Sequence, residues 1–152
     1  MAAIMTDRSA SLKGSCHCGA VVISVPADTD FLAAGRCDCS LCRRRWAPTA
    51  SVNLSDLSVL DGQEALTLYQ FNTHVAEHYF CKICGTYMFH RRRSDPNEYG
   101  FNVGCFDGVD MKDYQTAPIF DGVNHPSDLQ PETPSDMPLD TSIHKKSDDL
   151  ND

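Results

Sequence analysis

Seven of the eight cysteines in this 152-residue chain fall into three tight runs. Cys16 and Cys18 form C-x-C, Cys37, Cys39 and Cys42 form C-x-C-x-x-C, and Cys81 and Cys84 form C-x-x-C, while Cys105 stands alone. Such spacings let one ion reach several sulfur atoms, whereas scattered core thiols have no reason to show them. The alternative use, a disulfide framework, belongs to an exported protein in an oxidising compartment. The sequence points away from that setting. No apolar run approaches the ~20 residues of a membrane helix, and "MAAIMTDRSASLKG" lacks the apolar centre of a secretory signal. The expected location is the cytoplasm, where thiols stay reduced, and the expected role of the cysteine runs is to hold metal.

Zinc takes about four ligands and prefers thiolate among soft donors. Seven clustered cysteines are one short of two four-cysteine sites, so the expected partition is one closed site and one open site. In "CKICGT" the small Gly85 lets backbone N–H groups approach the sulfurs of Cys81 and Cys84. That pair needs a second pair, from Cys16 and Cys18 or from part of the triplet. Using Cys16 and Cys18 consumes two clean doublets and leaves Cys37, Cys39 and Cys42 together. The fourth position at the triplet is then open to water, to a substrate thiol, to Cys105 or to a histidine.

Apolar periodicity between the runs is that of strands. "AVVISV" puts Val21, Ile23 and Val25 on one face; "LTLYQF" puts Leu66 and Leu68 on one face and Tyr69 and Phe71 on the other; "EYGFNVGCF" puts Tyr99, Phe101 and Val103 in phase. "ASVNL" and "TYMFH" also read as short strands. Asp61-Gly62 and Asp107-Gly108 mark turns, and a short helix through "RRRWAP" ends before Pro48. The expected fold is mainly β, with small antiparallel sheets around the zinc sites. Composition shifts near Gly122 to a segment rich in Pro, Asp and Ser, which buries too little to offset its ordering entropy. The expected division is a zinc-binding domain over 1–121 and an acidic, extended or disordered tail over 122–152. The net charge of −8 argues against nucleic acid as the main partner.

The ordered motifs "GSCHCGAV", "CDCSLCRR" and "HYFCKICGT", from about Gly14 to about Gly108, resemble the glutathione-dependent formaldehyde-activating enzyme family. The resemblance implies an all-β, Mss4-like fold with two zinc ions per chain. It implies that Cys16, Cys18, Cys81 and Cys84 hold a structural zinc, and that Cys37, Cys39 and Cys42 hold a catalytic one. The activity it implies joins glutathione to formaldehyde to give S-hydroxymethylglutathione, a carbon–sulfur lyase reaction. Small molecules are then the partners, with no membrane involved and an oligomer left open. The acidic tail lies outside the shared motifs.

Glutathione carries two carboxylates, and arginine suits these by its bidentate geometry. Arg43, Arg44 and Arg45 follow the triplet, and Arg91, Arg92 and Arg93 follow the strand after "CKICGT". Arg43 and Arg44, with Trp46 and Asn102, are the expected substrate-binding residues. His17, His78 and His90 read as structural. The expected chemistry is reversible addition of a thiol to an aldehyde without redox change. Three alternatives remain at this level: a zinc-stabilised binding module without catalysis, a lyase acting on a different thiol or thioether, and a redox or metal-buffering protein whose triplet cycles through a disulfide.

Overall fold

A computed structural model, which describes residues 10–126, builds the alternating segments into ten strands. The strands are β1 (Ser11–Ser15), β2 (Val22–Pro26), β3 (Arg36–Cys37), β4 (Thr49–Asn53), β5 (Ser58–Asp61), β6 (Leu66–Tyr69), β7 (Glu77–Cys81), β8 (Tyr87–Arg91), β9 (Glu98–Asn102) and β10 (Ile119–Phe120). One α-helical turn, α1 (Cys42–Arg45), and several 3-10 turns join them. Two sheets are antiparallel, ordered β1-β2-β5 and β4-β9-β8-β7-β6, and the third is the two-stranded pair β10-β3, which runs parallel. The fold is therefore mainly β, as its periodicity predicts.

Both antiparallel sheets feed one core. On β2 and its approach, Val21, Ile23 and Val25 are almost wholly buried, and Met88 and Phe101 of the larger sheet join them in the core with Val103 of the 3-10 turn after β9. Each such side chain contributes roughly 1.5–3 kcal/mol on leaving water. Phe31, Phe101 and Phe106 close the core with edge-to-face contacts at centroid distances of 5.0 to 5.3 Å. The DG turns are where the sequence puts them, with Gly62 and Gly108 at positive φ. Strand β6 departs from its pattern: Leu68 and Tyr69 are both about half exposed. It is the outer strand of its sheet, with a neighbour on one side only. Strand β1, "SLKGS", carries little apolar signal and exists because it pairs with β2 over its full length.

The pair β10-β3 matters most for function. It lays Ile119 beside Arg36 and Phe120 beside Cys37, returning the chain to the cysteine triplet. Just beyond it, the N–H groups of Gly122 and Val123 donate to Asp38, next to Cys37. The rest of the expected acidic tail, 127–152, lies outside the described residues.

Candidate functional site

Two sulfur clusters form, from the pairs that spacing favoured. Cys16 and Cys18 sit in the turn between β1 and β2, where Gly19 at φ +78 donates its N–H to Cys16 O (3.0 Å) and the Val21 N–H points at Cys16 Sγ (3.3 Å). Cys81 ends β7 and Cys84 follows in a turn closed by Gly85, at φ +75, donating to Cys81 O (2.8 Å). The four sulfurs lie within 4.8 Å of one another, with Cys16–Cys18 at 3.6 Å and Cys18–Cys81 at 3.8 Å. A tetrahedron with zinc–sulfur bonds of ~2.3 Å has edges of about 3.8 Å, so this donor set fits zinc. The Thr86 hydroxyl and N–H hold the Cys84 thiol down at about 5, so it ionises readily.

The second cluster is Cys37, Cys39 and Cys42, again within 4.8 Å of one another. Cys37 ends β3 and Cys42 opens α1. The Cys39 N–H points at Cys37 Sγ and the Cys42 N–H at Cys39 Sγ, each at 3.4 Å. Hydrogen bonds from Cys37 and then Cys42 hold the Cys39 thiol well below its usual range, while contacts with Cys37 first and then Cys39 push the Cys42 thiol far up. The three sulfurs share one negative charge easily; further ionisation needs a cation among them. Among the described residues no fourth donor joins the group. Cys105 is buried elsewhere, with Met88 Sδ at 3.7 Å, and burial pushes its thiol up to about 12.

The triplet opens on a cavity of about 670 Å³. Its wall includes a closed ring of side chains from α1, β7 and β8. The Arg45 guanidinium lies over the Tyr87 ring at 4.3 Å and donates to His78 Nδ1 at 3.2 Å. His78 stacks on His90 at 5.2 Å, and the His90 ring nitrogen meets the Tyr87 hydroxyl. Burial first, then Arg45, brings His78 down to about 4; burial first, then His78, brings His90 to about 3. Both imidazoles are thus neutral at physiological pH. Gly100 makes room for the His90 ring, since a Cβ there would lie 3.1 Å from Nε2. On the other side, Asp38 Oδ1 accepts the N–H groups of Gly122 (2.7 Å) and Val123 (3.2 Å), which seats Gly122 against Cys37 and Cys39.

The expected binding residues are placed unevenly. Arg43 lines the cavity. Arg44 donates to Ser40 O, one turn back, and is not part of the wall. Trp46 caps α1 in the left-handed region, is 56% exposed, and sits under Arg36 at 5.2 Å. Asn102 donates to Tyr87 O and accepts from the Gly104 N–H, both within the fold. Arg45, weighed from the sequence with its two neighbours but not among the four expected binding residues, is on the wall, and so are His78 and His90, which read as structural. A signal for Arg45 was available: it follows Cys42 by three residues, the spacing that places two side chains on one face of a helical turn.

The model of the family described as glutathione-dependent formaldehyde-activating enzyme matches residues 11–121, which include all eight cysteines. The chain belongs to this family. Among its relatives is a Halomonas elongata protein named as a candidate glutathione-dependent formaldehyde-activating enzyme. It is 35% identical over 86 residues, covering 51% of this chain and 54% of that protein. The chain thus spans about half the length of this curated relative. A Rhodobacter sphaeroides protein of known crystal structure is 53% identical and superposes with a TM-score of 0.69, over 72% of this chain and the whole of the other. No helix among the described residues is long and apolar enough to cross a membrane.

Proposed function

We propose that the chain is a zinc-dependent carbon–sulfur lyase that adds glutathione to formaldehyde and catalyses the reverse cleavage. The carrying observation is the contrast between the two clusters. Four sulfurs form a closed set, while three face a cavity whose wall carries cationic side chains. In this reading each chain holds two zinc ions, one structural at Cys16, Cys18, Cys81 and Cys84, the other catalytic at Cys37, Cys39 and Cys42. Zinc at the triplet would supply a Lewis-acidic position at which a thiol ionises near neutral pH.

The chain's own residues supply the rest. Arg36, buried next to Cys37, donates to Trp46 O (3.1 Å) and Tyr114 O (2.6 Å), and its charge lowers the cost of gathering anionic sulfur there. The cavity wall holds the thiol donor and the carbonyl together. In the reaction the S–C bond forms, the carbonyl π pair moves to oxygen, and the thiol's proton ends on that oxygen. Electrons balance without a redox cofactor. A cytoplasmic setting keeps both substrate and protein thiols reduced. We assign catalysis to the 1–121 domain, with the first residues of the following acidic segment covering the triplet.

Calorimetric titration of glutathione into reduced, zinc-loaded protein tests the reading, with Cys39→Ser as the control. Saturable binding is expected in the parent and is lost in the variant. Absence of binding in the parent, with two zinc ions still present, would leave a structural second site and sink the enzyme reading.

Gly122 gives a second test. A Cβ there would overlap Cys37 Sγ and lie 2.9 Å from Cys39 Cβ. Gly122→Ala should weaken one of the two metal equivalents by roughly tenfold, in the range of losses caused by disturbing groups around metal ligands. Competition against a chelator measures this, and the four-cysteine site serves as the internal reference. Two unchanged affinities would show that the segment over the triplet yields freely.

A further inference from the structure

The three consecutive arginines of α1 have different fates. Arg44 spends its guanidinium on Ser40 O, and Arg43 is exposed at the rim. Arg45 is half-buried, on the same face of the turn as Cys42, and is held twice: over the Tyr87 ring and by His78 Nδ1. His78 must be a neutral acceptor at that nitrogen, because an imidazolium has no lone pair to offer. Tyr87 and His78 are buried, and Gly100 leaves space for the His90 ring that completes the support. The guanidinium is therefore fixed in place by neutral groups.

Its charge is not met by any of them. Among the described residues no carboxylate pairs with Arg45; the ion pairs there are Arg91–Glu77 and Arg92–Glu98. Guanidinium offers five N–H donors, and the contact to His78 occupies one. Arg45 is half-buried on the cavity wall, and an anion that enters the cavity can take its remaining donors as a fork. Of the other arginines on the wall, Arg36 is committed to two backbone carbonyls and Arg92 to Ser51 and Glu98, Arg93 has a contact of its own, and Arg43 is exposed at the rim, where water screens its charge.

We infer that Arg45, braced by Tyr87 and His78, is the carboxylate-binding residue of the cavity, and that it selects thiols that carry a carboxylate over neutral ones. This rests on the thiol-binding reading above and names the substrate feature that the site recognises. Arg45 touches the distant end of the thiol compound and takes no part in bond making. Its role is specificity through positioning.

The test compares glutathione with its dialkyl ester, in which both carboxylates are masked, by calorimetry on the zinc-loaded full chain. The parent is expected to bind glutathione roughly 10- to 100-fold more tightly than the ester, the range for hydrogen bonds to a charged group. Arg45→Met should bring that ratio close to one, mainly by weakening glutathione. Arg45→Lys, which keeps the charge but not the fork, should give an intermediate ratio, and it stands in if Arg45→Met loses zinc. Damage to the fold alone would weaken both ligands alike and leave the ratio unchanged, which would overturn the assignment. Equal binding of acid and ester by the parent would overturn it as well. A parent that binds glutathione not at all removes the thiol-binding reading and this inference with it. A parent that discriminates, beside an Arg45→Met variant that discriminates equally, removes the inference alone.

Discussion

Cys81→Ser is expected to abolish cooperative folding. Cys81 is fully buried at the end of β7, and its sulfur meets that of Cys18, 63 residues earlier in the chain. The cluster thus joins the β1–β2 turn to the β7–β8 turn and ties the two antiparallel sheets together. Apparent binding energies for structural zinc are ~10–16 kcal/mol, as large as the whole stability of an ordinary domain, about 5–15 kcal/mol. Losing one of four ligands should leave a chain without a sharp thermal transition and without the first metal equivalent. Thermal melting followed by circular dichroism, alongside metal analysis, checks both. Cys39→Ser is the contrast: its cluster has one edge on the cavity, and its melt should remain cooperative. A Cys81→Ser protein melting within a few degrees of the parent would show that the sheets hold without the metal.

The second large effect is expected at Gly62→Ala. Gly62 lies at φ +77, and a Cβ there would overlap Ala20 O, with Ala20's carbonyl carbon at 2.7 Å and Val21 Cα at 2.9 Å. The neighbours are backbone, so no side chain can swing aside. The left-handed conformation alone costs an alanine roughly 1–2 kcal/mol. Displacing the Ala20 carbonyl disturbs the segment between Cys18 and the buried face of β2. The total loss should be about 3 kcal/mol or more, at the upper end for single substitutions. Gly108→Ala isolates the conformational part, since Gly108 has φ +83 but nothing within 4 Å of its would-be Cβ. It should cost only about 1–2 kcal/mol. Denaturant midpoints of the two variants measure the difference, and equal midpoints would refute the steric argument.

Much of this architecture is legible in the residues. Seven cysteines in three runs specify a four-and-three partition, because ligand pairs close in sequence cost little to bring together. Val21, Ile23 and Val25 show their burial by strict alternation. What stays hidden depends on long-range placement. Nothing local marks Ile119–Phe120 as the partner of β3, since two residues carry no period. The fate of each arginine after Cys42 depends on where β7 and β8 put His78 and Tyr87. Only the three-residue step from Cys42 to Arg45 hinted at it. His78 and His90 read as structural from the sequence, and they stack on each other within the fold; what the sequence could not show is that both also line the cavity, while His17 is exposed.

The return of β10 to β3 also sets an order of assembly. The four-cysteine cluster needs the chain only as far as Cys84, so it can close while later residues are still being synthesised. The triplet has its three sulfurs by Cys42, but Asp38 waits for Gly122 and Val123 before that side is covered. If the proposed metal sites are filled as the chain emerges, the four-cysteine site would be complete early and the triplet's surroundings late. Until then the three thiols would stay open to any thiophilic metal or oxidant that the ribosome's surroundings offer.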